Sequence, residues 1–121
     1  LQDLYARKLQ ELWSAEQQIT AALPRMIARA SHPELREAFE RHLAETVEQA
    51  RRIESLFEAH GGGPGAPCAA MQGIVRGNEA TLAHVADADA WDAALLAGAQ
   101  AVEHYEIAGY GTAVAWARQL G

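Results

Sequence analysis

Cysteine is almost missing from this sequence: Cys68 is the only one in 121 residues. An intramolecular disulfide framework is therefore excluded, and the composition suits a reducing compartment, so a cytoplasmic location is expected. A lone thiol without a paired histidine motif is read as a small buried apolar residue. Basic charge is also scarce. Ten Lys and Arg stand against 16 Asp and Glu, for a net charge of −6. With no basic stripe or tail, nucleic acid and anionic membranes are excluded as expected partners. No apolar run approaches the roughly 18 residues of a membrane span, and nothing at Leu1-Gln2-Asp3 reads as a signal peptide. Period-two alternation of strand length is absent throughout.

What is present is helical periodicity. Leu9, Leu12, Glu16, Ile19, Leu23, Met26 and Ala30 share one side of a helix from Gln2 to about Ala30. Pro24 is expected to bend its last turns without ending it. Ser31 and Glu34 have the spacing of a capping box for a second helix, His32 to about His60. Its apolar side carries Leu35, Phe39, His42, Thr46, Ile53, Leu56 and Phe57. Gly61 suits a left-handed C-terminal cap. Gly61 to Pro67 is the single linker-like stretch, and it joins two helix pairs, residues 1–60 and 68–121, into one domain. The third helix is predicted over Cys68 to Val85, weakened by Gly73 and Gly77 at about 1 kcal/mol each. The fourth is predicted from about Ala90 to Gln119, with Asp89 and Asp92 at capping-box spacing. A helix of about 28 residues spans about 42 Å, long for so small a chain. Such length, with the three Trp residues, points to a homodimer. The expected fold class is all-α, an antiparallel four-helix bundle.

The informative departures are acids on apolar stripes. Glu16 falls between Leu12 and Ile19. His42, Glu45 and Gln49 continue the face of Leu35 and Phe39. Glu103 and Glu106 lie within the stripe of Leu96, Ala99, Val102, Ile107, Tyr110 and Val114. In the third helix Gln72 and Glu79 flank the apolar side. A buried unpaired carboxylate costs several kcal/mol, so it is kept only when paired, protonated or bound to a cation. Residues three apart on a helix project together, as Glu103 with Glu106 and His42 with Glu45 do. Carboxylates from several helices plus such pairs form the ligand logic of dinuclear sites in bundles. Oxygen ligands with one imidazole suit iron or manganese. The ordinary alternative is that these acids are peripheral, salt-bridged to Arg52 or Arg118, or share protons. His104, among Ala97, Ala101, Ala108 and Gly111, reads as a hydrogen-bonded packing residue, with a role beside Glu103 as its functional alternative.

Three sequence stretches carry a resemblance. They are Ala97 to Gly111 with Val-Glu-His-Tyr-Glu at its centre, Leu12-Trp-Ser-Ala-Glu-Gln-Gln with Ala22 to Met26, and His42-Leu-Ala-Glu-Thr with Gln49. Together with Cys68-Ala-Ala-Met and Gly73, they resemble the YciE/YciF-like bacterial proteins over nearly the whole chain. The resemblance implies a ferritin-like bundle related to rubrerythrins, a dimer, and an association with stress responses. The ferritin-like pattern maps onto Glu16, Glu45, Glu103 and Glu106, with His42 as ligand or base and Glu79 as a distant candidate. Its implied chemistry is at most that of a di-iron-type oxidase or peroxidase, beside Tyr105 and Tyr110. The chain departs from the pattern at Gln72, where relatives often carry Glu. The competing expectation is a metal-free, dimeric structural or interaction protein of the stress response.

Overall fold

The computed structural model describes all of residues 1–121 as four helices: α1 (Gln2–Arg29), α2 (Pro33–His60), α3 (Ala69–Leu82) and α4 (Ala88–Leu120). Helix α1 is the organising element. It packs most extensively on α2, then on α4, and more lightly on α3, while α3 packs mainly on α4. The apolar residues that recur along each helix meet in two clusters. One joins Ile19, Leu23, Phe39, Met71, Leu95 and Val102. The other joins Leu9, Leu12, Ile53, Phe57 and Ala113. Along α1, α2 and α4 alike, the buried polar residues Glu16, Thr46 and Glu106 fall between the two.

Helix ends account for most differences from the sequence expectations. The Ser31–Glu34 capping box does not form: His32 is the N-cap of α2, without a side-chain bond, and Pro33 opens the helix. Proline is suited to that position because its missing N–H would be an orphan there. Ser31 is engaged elsewhere. Its hydroxyl donates to Asp92 Oδ2 at 2.7 Å, its amide to Asp92 Oδ1 at 2.9 Å, and the His32 amide to Asp92 Oδ2 at 3.0 Å. Asp92 thus clasps the α1–α2 turn and is not available to cap α4. That cap is Asp87, whose Oδ1 accepts from the Ala90 amide at 2.9 Å, so α4 starts earlier than expected.

Helix α1 continues through Pro24 to Arg29, and Gly61 closes α2 in the left-handed conformation at φ 75°. The Gly-Pro linker is tied down. Gln10 donates to the Gly63 carbonyl at 3.0 Å, and the Ser14 hydroxyl accepts from the Cys68 amide at 2.8 Å. Helix α3 is shorter than expected, ending at Leu82, because the next residues tighten into turns closed by His84 and Val85 amides. Cys68 is buried as expected and also caps α3, its Sγ accepting weakly from the Met71 amide at 3.5 Å.

The small-residue stripe of α4 does not pack within the chain. Ala97, Ala101, His104, Ala108 and Gly111 are all exposed, so His104 is on the surface of the single chain and does not pack within the bundle. Close approach uses the opposite side of α4. A Cβ on Gly109 would lie 2.7 Å from Leu12 Cδ2, and one on Gly98 would lie 2.8 Å from the Asn78 amide.

Candidate functional site

The helices bring three of the sequence candidates together. Glu16 of α1 is fully buried, and Glu106 of α4 is 8% exposed. His42 of α2 places its Nε2 3.5 Å from Glu106 Oε1. Gln49, two turns along α2 from His42, completes the cluster. With its nitrogen facing the acids, its amide donates to Glu16 Oε2 at 2.9 Å and to Glu106 Oε2 at 3.3 Å. The opposite orientation would set the Gln49 oxygen against the ionised Glu106 Oε2, so the donor orientation suits the network better.

The electrostatics follow from burial and from who holds the proton. Desolvation, reinforced by hydrogen bonding and charge from Glu106, pushes the Glu16 carboxyl up to about 9. Burial also raises Glu106, but hydrogen bonds from His42 and Glu16 outweigh it and hold that carboxyl below its ordinary value. The opposite directions describe one coupled pair sharing a proton that resides on Glu16 at neutral pH. The hydrogen bond to Glu106 raises His42 against the opposing effect of burial. The neutral-pH arrangement therefore has the proton on Glu16 and Glu106 ionised, with Glu106 favouring the charged form of His42. Tyr110, near Glu16, is raised by burial and then by the two carboxylates. Its hydroxyl and Glu16 Oε1 are buried without a hydrogen-bond partner.

The remaining candidates lie apart from this cluster. Glu45 and Glu103 are exposed. Glu79, also exposed, pairs with Arg25 at 3.1 Å. Gln72 is half-buried on α3. No group of three His, Cys, Asp or Glu side chains is placed to hold a metal ion. The dinuclear carboxylate pattern is therefore not assembled from these residues, since its second acids on α2 and α4 face solvent. The donors that do converge are two carboxylates, one imidazole and one amide. Gln49 and Tyr110 gain their importance only in three dimensions: their stripe positions are visible in the sequence, their contact with Glu16 is not.

A second polar contact joins α3 and α4. Cys68 Sγ lies 3.1 Å from the Tyr105 hydroxyl, and burial followed by this thiol raises the phenol.

The helices that build this cluster are matched end to end by a family described as a domain of unknown function (DUF892), over residues 1–121. The chain belongs to that family. It is similar to Protein YciF of Escherichia coli (strain K12), at 37% identity over 123 residues, covering all of this chain and 74% of YciF. Among solved structures it is similar to YcfI of Rhodopseudomonas palustris, to which a structural role has been ascribed. That match has a TM-score of 0.95 and 45% identity, over 99% of this chain and 77% of the other. The crystal structure of the E. coli stress protein YciF matches with a TM-score of 0.91 and 37% identity, again over 99% and 77%. The helical-bundle fold is thereby shared with both. No helix is long and apolar enough to cross a membrane.

Proposed function

We propose that this protein is a stress-associated structural bundle that works as a homodimer, and that its buried acids are satisfied by a shared proton and not by a metal. The stress role is carried over from YciF, named a stress protein, and the structural role accords with YcfI. The deciding observation is the Gln49 amide lying between the two carboxylates and bonding to both. With one proton on Glu16 and His42 set against Glu106, the polar atoms of the cluster have partners without a cation, apart from Glu16 Oε1 and the Tyr110 hydroxyl. A polar layer of this kind between two apolar clusters fixes the register of α1, α2 and α4, because mispairing would strand a buried acid.

The unpartnered Glu16 Oε1 favours a second reading, in which Glu16, Glu106 and His42, which do not stand as a three-ligand group here, shift to take one iron or manganese ion. Elemental analysis separates the two. Protein expressed with added iron and manganese and purified without chelator is expected to carry well below one equivalent of either. A full equivalent, lost in Glu16→Gln/Glu106→Gln, would overturn the proposal and restore the metalloprotein reading with its oxidase or peroxidase chemistry.

A further inference from the structure

A separate cavity of about 300 Å³ opens between α1, α3 and α4, with His42 reaching in from α2. Its walls are mainly apolar, with Ile19, Leu23, Met26, Leu82, Leu95 and Val102 among them. Such a volume lies at the lower end of small-molecule sites, which are mostly apolar with a few placed polar groups. The two ends differ in charge. Ile19 and Val102 mark the end beside the acidic cluster, where His42 is already engaged by Glu106. Arg25 and Arg29, one and two turns further along α1 than Ala22, mark the other. Arg25 is engaged by Glu79. Arg29 lies over the Trp91 ring at 5.4 Å and holds no carboxylate.

From this polarity we infer that the cavity binds a small amphipathic monocarboxylate, an unbranched medium-chain fatty acid in chemical class. Its carboxylate meets Arg29 and its chain runs inward along α1. The reverse orientation would set an anionic head against Glu106, so charge fixes the direction of entry. Arg29 can satisfy both carboxylate oxygens with one guanidinium. The site stands on the cavity and its Arg rim alone. Its occupancy therefore does not depend on whether the acidic cluster holds a proton or a metal; only the direction of entry draws on the charge of Glu106.

Decanoate is the probe. Titration followed by calorimetry and Trp91 fluorescence is expected to show saturable one-to-one binding below the micellar range. Affinity should rise by about fourfold per added methylene from hexanoate to decanoate. In the unmodified protein, NMR methyl shifts should concentrate on Leu82, Leu95 and Val102. Ala99→Phe and Ala22→Phe, which fill the cavity from opposite walls, should each abolish binding while the helical circular dichroism is retained. Arg29→Gln should weaken decanoate about tenfold and leave decanol unchanged. Absence of saturable binding overturns the inference. So do methyl shifts on another face, or binding that survives both filling variants. Equal loss of decanoate and decanol in Arg29→Gln would overturn the carboxylate class.

Discussion

At the residue scale, the decisive fact is that the two core acids are not equivalent. Glu16 is held protonated, with its carboxyl near 9, whereas Glu106 stays ionised against His42. The consequence for stability depends on sign. Glu16 binds its proton more tightly folded than unfolded, so its contribution is complete below its unfolded value and is lost as pH rises towards 9. His42, also raised, loses its contribution in the same direction. Glu106, lowered, loses its own as pH falls to acid values. The protein is therefore expected to melt at progressively lower temperature between pH 6 and pH 9. Glu16→Gln, which keeps the shape and a hydrogen-bonding head without the titration, should flatten that slope and be the more stable protein at pH 9. Differential scanning calorimetry across this range tests it, and parallel slopes for both proteins would refute the shared proton.

Removing His42 tests the other partner. His42→Ala strands a buried, ionised Glu106, and loss of one partner of a buried pair costs about 3 kcal/mol. Glu106→Gln in the same background should recover much of that loss. Urea denaturation of the two variants makes the comparison, and additive losses would argue against the pair.

At the element scale, the periodicities of the sequence define the four helices, the two pairs and the linker, and place Glu16 and Glu106 inward. They could not tell inward acids from rim acids. Glu103 lies about 60° around the helix from Glu106, and Glu45 the same angle from His42, because three residues fall short of a full turn. Thr46 takes the core position beside Glu45 and donates to the His42 carbonyl at 2.7 Å. That offset is within the width of an apolar stripe in a sequence, yet it separates buried from exposed in the bundle.

Helix starts differ from the sequence expectation for another reason. Ser31 and Glu34, and Asp89 and Asp92, both have capping-box spacing, but Asp92 is drawn across to Ser31 and His32. A local motif cannot reveal a partner 61 residues away. Asp92→Ala should therefore loosen the α1–α2 turn and leave the start of α4 intact. Hydrogen exchange is the measurement: faster exchange at the Ser31 and His32 amides, with Ala90 unchanged. The three hydrogen bonds that lower the Asp92 carboxyl also imply that this clasp weakens only as pH falls into the acid range. Asp87→Ala, by contrast, removes a true N-cap and should cost about 1 kcal/mol.

At the scale of the whole molecule, the bundle is not evenly closed. Helix α2 is held chiefly by α1, and α4 by α1 and α3. Leu96, Ile107 and Val114 remain largely exposed on α4, with Ile107 at 67%. Their spacing of eleven and seven residues returns each to one side of the helix, so they form a stripe and not scattered surface residues. Exposed Gln100 and Glu103 lie between Leu96 and Ile107 on this side, and a second copy laid antiparallel along α4 would cover the three apolar residues on both partners with one symmetric interface. Ile107→Glu is expected to convert a dimer to a monomer with unchanged helical content. Glu103→Ala, beside it on the same exposed side, should leave the assembly intact or tighten it by removing charge at the rim. Light scattering coupled to size exclusion reads both. If the unmodified chain elutes as a monomer at all concentrations, the homodimer fails, whatever the outcome for the acidic cluster.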